Sequence, residues 1–218
     1  MKLHTIEQMI DEKLKEYIEQ NILPVYKKFD KAHQTAHVQK VIAESLRLAQ
    51  IYCLNENMMY TIAAYHDVGL VANRETHHTE SARMLLFDER LREWFSENEL
   101  KIMAEAAEDH RASSKRTPRS IYGKIVAEAD RDIEPITVLR RTIQFGLEHY
   151  PQMSQNEHYK RFVEHLHEKY ADGGYMKLWI PESDNAKGLN DLRNIICDKG
   201  RLKSIFDQLF QSEKTSAK

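Results

Sequence analysis

Glycine, proline and cysteine are scarce in this chain, at 7, 5 and 2 of 218 residues. So few helix breakers, falling mostly between apolar stripes, leave little punctuation for hairpins, and no strand pattern of useful length appears. The two cysteines, Cys53 and Cys197, have no metal-type spacing and no Cys-x-x-Cys occurs. Reduced, structural thiols are expected, which suits the cytoplasm. No apolar run approaches the roughly 20 residues that span a bilayer, so no membrane association is expected. The first residues read as an acidic amphipathic helix rather than a secretory leader. Lysine and arginine (32) nearly balance aspartate and glutamate (34), for a net charge of -2. That balance gives no basis for general nucleic-acid binding. A glycine-rich phosphate loop is also missing, and no Ser-His-Asp arrangement is supported.

What is present is one helical pattern after another. Leu14 and Tyr17-Ile18 continue a first stripe that begins at Leu3 and ends before Pro24. His37, Val41, Ile42, Ser45, Leu48 and Ala49 mark a second. Asn55 is placed to cap a third helix carrying Met59, Ile62, Ala63 and His66, and Gly69 is placed to end it. A polar connection from Arg74 to His78 leads to a fourth helix from Ser81. Ser96 and Glu99 form a capping-box pattern for a fifth, which ends at Asp109-His110. The basic, Ser/Thr-rich stretch from Arg111 to Arg119 reads as a loop. Pro118 is placed to begin a sixth helix ending near Asp130, and Pro135 a seventh. The stripes after Pro151 read as further helices packed on the earlier ones. The expectation is a single all-α domain over residues 1–218, a helical bundle with additional C-terminal helices at 151–218.

The adjacent pair His66-Asp67 carries the most chemical information. His37 precedes it; His78, His110 and Asp130 follow. Imidazole nitrogens and carboxylate oxygens suit a divalent transition metal better than Ca or Mg. The spacing fits that use. His37 lies one turn before Val41 on the inner face of its helix, His66 shares the apolar face of Met59 and Ile62, and Asp130 follows Ile125, Val126 and Ala129. Bundles build metal sites in this way, from side chains on facing helices. Taken singly, each histidine has a structural reading, as a satisfied core residue or a helix-end cation. His33 and His37, at i and i+4, share a face.

The ordered set of His37 (in Lys-Ala-His-Gln-Thr-Ala-His-Val-Gln-Lys-Val), His66-Asp67 (in Ala-Ala-Tyr-His-Asp-Val-Gly) and Asp130 (in Val-Ala-Glu-Ala-Asp-Arg-Asp) resembles the HD-domain superfamily of metal-dependent phosphohydrolases. The resemblance runs from about Lys31 to about Ile133, the expected core at 31–133. It implies a fold of the HD-domain type, with His37, His66, Asp67 and Asp130 as ligands of one divalent ion (Mn, Fe, Co, Ni or Zn before Mg), with room for a second. It implies hydrolysis of a phosphate ester or anhydride by metal-activated water, on a nucleotide or related small phosphorylated molecule, with His66, Asp67 and His110 as catalytic residues. Of the adjacent pair His77 and His78 only one is expected to face the site, since neighbours on a helix point about 100° apart, and His78 is taken as that one. Asp109 stands where the two-metal subgroup of the family carries a histidine, which weighs towards one ion and leaves His78 and His110 for the phosphate. The basic loop supplies further phosphate-binding candidates, Arg111, Lys115 and Arg116, with Arg74 a weaker one. Its alternative is a solvated basic run.

Two other functions remain open at this level: a metal-dependent ligand-binding or sensor protein with little turnover, and a di-iron oxygenase of the same fold. The later aromatic and leucine stripes serve equally for a core or for a homodimer surface.

Overall fold

The computed structural model describes residues 10–29, 35–111 and 116–216. The expected start of the first stripe at Leu3, as well as His33 and Lys115, lies outside the described residues. Among the described residues all regular structure is helical, as the composition implies. No described helix is long and apolar enough to cross a membrane. The chain divides into two compact units, residues 1–131 and 132–218. The division falls ahead of the Pro151 break expected from sequence, so the seventh helix belongs with the later ones.

The first unit contains α1 (Glu12–Asn21), a 3₁₀ turn (Leu23–Lys28), α2 (Thr35–Ile51), α3 (Glu56–Tyr65), a second 3₁₀ turn (Val68–Val71), α4 (His77–Leu86), a third (Glu89–Glu93), α5 (Glu97–Asp109) and α6 (Ile121–Ala129). Helix α3 is the centre. All its residues from Met58 to Tyr65 are buried, because its sequence is apolar or small all round, and such a helix is covered on every side. Helices α2, α4, α5 and α6 pack on it. Its start is set by Asn55, whose side chain accepts from the Met58 N–H at 3.2 Å. The Ser96–Glu99 capping box opens α5. Helix α6 starts after Ser120, whose hydroxyl accepts from the Gly123 N–H at 3.1 Å, rather than at Pro118.

Gly69 does not act as the helix-ending residue expected of it. Helix α3 already ends at Tyr65, and Gly69 lies in the following 3₁₀ turn, pressed against the start of α4. A Cβ there would fall 2.1 Å from the His77 carbonyl oxygen and 2.6 Å from the Ser81 nitrogen. The Gly69 N–H donates to Ser81 Oγ at 2.9 Å, so the missing side chain lets two backbones meet.

The second unit contains α7 (Pro135–His149), α8 (Gln155–Lys169), α9 (Asp184–Cys197) and α10 (Lys199–Ser216). Its own core joins Leu139, Ile143, Phe162, Leu166, Leu192, Ile196 and Phe206. Cys53 and Cys197 are free, as expected of reduced thiols, but both are exposed rather than packed.

Candidate metal centre

The end of α3 brings two chemically useful residues to the middle of the first unit. His66 caps the helix and Asp67 follows with φ -115° and ψ 4°, where the chain leaves the helix. Four ligand atoms, one each from His37, His66, Asp67 and Asp130, lie within 4.8 Å of one another. His37 Nε2 is 3.1 Å from Asp130 Oδ1 and 3.9 Å from Asp67 Oδ2. His66 Nε2 is 3.4 Å from Asp67 Oδ2 and 3.6 Å from Asp130 Oδ1. Helices α2, α3 and α6 thus contribute to one cluster, through the residues that the apolar stripes turn inward.

A second cluster shares a member with the first. Asp67, His77 and His110 offer ligand atoms within the same 4.8 Å limit. Asp67 Oδ1 lies 3.4 Å from His77 Nε2 and 3.3 Å from His110 Nε2. One carboxylate therefore turns Oδ2 to the first group and Oδ1 to the second.

The ring orientations are set locally and in the same way. His66 Nδ1 lies 2.7 Å from the Ala63 oxygen, His77 Nδ1 2.7 Å from that of Arg74, and His110 Nδ1 2.6 Å from that of Ala107. A carbonyl only accepts, so each Nδ1 carries the proton and each neutral ring presents the Nε2 lone pair to Asp67. Metal-binding histidines are commonly held like this. His66 Nε2 is buried with no hydrogen-bond partner, and an unmet buried polar atom is costly. The Nε2 atoms of His77 and His110 face each other at 3.1 Å, and two facing lone pairs are stabilised by a cation or a proton between them. Both observations fit a divalent ion.

Without an ion, protons compete for the same place. Burial opposes charging His66, but the Asp67 and Asp130 carboxylates outweigh it and push its pKa up to about 10. Burial also opposes ionising the two aspartates. His66 and His110 around Asp67, and His37 and His66 around Asp130, nevertheless hold both well below the usual carboxylate range. Burial lowers His77, leaving its imidazole neutral near pH 7. The side chains of His37 and Asp130 remain 20% and 21% exposed while His66 is fully covered, so the centre is reached from the His37–Asp130 side. A cavity of about 660 Å³ lined by Leu23, Ile42, Leu46 and Tyr60 lies elsewhere in this unit and is lined by none of the ligand residues.

Several expected residues stand differently. His77, not His78, turns to Asp67 and His110. Helix α4 begins at His77 itself, so half-buried His77 heads the stripe of buried Ser81 and Leu85, and His78 points about 100° away. His78 Nδ1 lies 3.4 Å from Arg111, whose guanidinium donates to the Glu75 carbonyl at 2.5 Å. His78 and Arg111 thus form a pair beside the second cluster. Arg116 is turned back on α5, 3.2 Å from Asp109 Oδ1, and is engaged there. Arg74 is exposed and lends the centre its carbonyl. Asp109 is buried and faces away from the ligands. It accepts from the Arg119 N–H at 2.7 Å and from Arg119 Nε at 3.1 Å, which ties Arg119 to the end of α5. Its presence thus takes nothing from the second cluster, where His77 and His110 supply the imidazoles. A spacing signal for His77 existed in the i, i+4, i+8 series His77, Ser81, Leu85.

No curated protein and no solved structure matches the chain. Residues 34–133 match the family model of the HD domain. That segment holds all the candidate ligand residues of both clusters, and over it the chain carries an HD domain.

Proposed function

We propose that this chain is a metal-dependent phosphohydrolase acting on a phosphate ester or anhydride of a nucleotide or related small molecule. The observation that carries the reading is the shared carboxylate of Asp67, with one oxygen toward each ligand group. It favours two ions per chain over the single ion expected from sequence. His37, His66, Asp67 and Asp130 would hold one, and Asp67, His77 and His110 the other. The mixed nitrogen and carboxylate donors suit Mn, Fe, Co, Ni or Zn more than Mg. Ions so held neutralise phosphoryl oxygens and lower the pKa of water from about 15.7 towards 7.

The side chains divide the remaining work. Asp67 and Asp130 supply the negative charge that retains cations. The carbonyls of Ala63, Arg74 and Ala107 keep His66, His77 and His110 in one tautomer. Arg111 and His78, beside the second cluster, are suited to a phosphate oxygen, and a guanidinium gives charge-assisted bonds to it. Burial of His66 and His110 keeps bulk water from the inner side of the centre. A cytoplasmic setting agrees with two free cysteines.

The test is phosphate or pyrophosphate release from a panel of nucleotides with Mn²⁺, for the wild type and Asp67→Ala. Release by the wild type and its loss in Asp67→Ala, together with the bound metal, is the expected result. Tight nucleotide binding with no release from any member of the panel would instead make this a sensor. The bridged arrangement also favours a second reading, a di-iron oxygenase, which two irons per chain and substrate-dependent oxygen uptake would identify.

A further inference from the structure

Where α3 ends, the backbone bonding is rearranged. In a continuing helix the Asp67 N–H would donate to the Ala63 carbonyl. Here that carbonyl takes the His66 ring instead, at 2.7 Å. The Asp67 N–H donates to the hydroxyl of Tyr26 at 3.2 Å. The same hydroxyl donates to the Ala64 carbonyl at 3.0 Å. One phenol oxygen therefore bridges the two backbone groups on either side of His66. Tyr26 is fully buried, its ring 5.3 Å from Phe29 and 6.1 Å from the imidazole of His66. It comes from the 3₁₀ turn Leu23–Lys28, which lies before the residues that match the HD domain.

We infer that Tyr26 is a positioning residue of the metal centre: its hydroxyl fastens the opened end of α3 so that His66 and Asp67 face the same ion. Releasing the Asp67 N–H from the helix is what frees Ala63 to orient His66. A buried N–H left without a partner would pull the chain back toward helical bonding, and Asp67 would turn with it. Tyr26 thereby sets both ligands through the backbone without touching an ion. The inference rests on the metal-centre reading above.

The experiment uses the metal-free full chain titrated with Co²⁺, reading the dissociation constant and the visible absorption of the bound ion. Tyr26→Phe keeps the ring and removes only the hydroxyl. It is expected to weaken Co²⁺ by ~10- to 100-fold, the usual consequence of losing a group that orients a metal ligand, and to change the absorption spectrum. Tyr60→Phe is the control, since Tyr60 is a buried tyrosine of α3 whose hydroxyl has no hydrogen-bond partner. Its affinity and spectrum should match the wild type. 4-Aminophenylalanine at position 26 keeps a donor for Ala64 but accepts poorly from Asp67, and its affinity is expected between those of Tyr26→Phe and the wild type. That variant serves even if Tyr26→Phe does not fold. A lower melting temperature with unchanged Co²⁺ affinity and spectrum in either position-26 variant would make Tyr26 ordinary packing and overturn the inference. Failure of the wild type to bind Co²⁺ would overturn the metal-centre reading itself, a separate outcome.

Discussion

Adding one methyl group at Gly69 should damage the centre from a distance. The methyl carbon of Gly69→Ala would meet the His77 carbonyl oxygen at 2.1 Å, the Ser81 nitrogen at 2.6 Å and the Glu80 Cβ at 2.9 Å. Non-bonded carbons sit comfortably at about 3.5–4.0 Å, so the start of α4 must retreat by about an ångström. Two of the obstructing atoms are backbone, and no side-chain rotation relieves them. Overpacking of this kind costs about 1–3 kcal/mol. Stretching the buried Gly69–Ser81 bond adds about 1–2 kcal/mol, for a total of about 2–5 kcal/mol. His77 is the residue directly pushed, and its Nε2 would move out of reach of Asp67 and His110. A displacement of that size is enough to lower turnover about 10²-fold. The assay is denaturant unfolding of the metal-free protein, metal content by mass spectrometry, and phosphate release. Gly200→Ala provides the comparison: its added carbon would stand 3.5 Å from Asp198 Oδ1, an ordinary contact, and its stability should change by less than about 1 kcal/mol. Wild-type stability and wild-type metal content in Gly69→Ala would refute the reasoning, because the close approach of the two backbones would then have no consequence.

Two further outcomes are expected. His77→Ala should reduce bound metal from two ions to one, whereas His78→Ala should keep both and raise KM; the reverse pattern in metal analysis would restore His78 as the ligand. Metal binding should also be coupled to protons. Folding raises the His66 pKa to about 10, above its unfolded value, so in metal-free protein its contribution to stability is complete below about pH 6.5 and is lost as pH rises through about 10. A metal needs the same Nε2 unprotonated, so binding at pH 7 should release about one proton from His66 and tighten as pH rises toward 9. Calorimetry in buffers of different ionisation enthalpy measures this, and a heat independent of buffer would contradict it.

The set His37, His66, Asp67 and Asp130 was legible through its resemblance to the HD-domain superfamily, and the apolar stripes around His37, His66 and Asp130 agreed with it by turning those residues inward, where the four ligand atoms lie within 4.8 Å of one another. The choice between His77 and His78 was not settled by it: the series His77, Ser81, Leu85 pointed to His77, but the polar stretch from Arg74 to His78 did not show that α4 extends back to include it. Arg116 looked available as a phosphate ligand because a charge in a loop carries no record of its partner. Its partner proved to be Asp109, on the adjoining helix.

By itself the order of residues determined an all-helical chain, the inward faces of its helices and the kinds of ligand atom those faces carry. All of these follow from local periodicity and side-chain chemistry. Only the tertiary structure decided that Asp67 serves two groups at once, that Gly69 admits α4 to the centre, and that a tyrosine 41 residues before Asp67 holds its backbone. Those depend on distances between segments remote in sequence, and no pattern along a single segment encodes them.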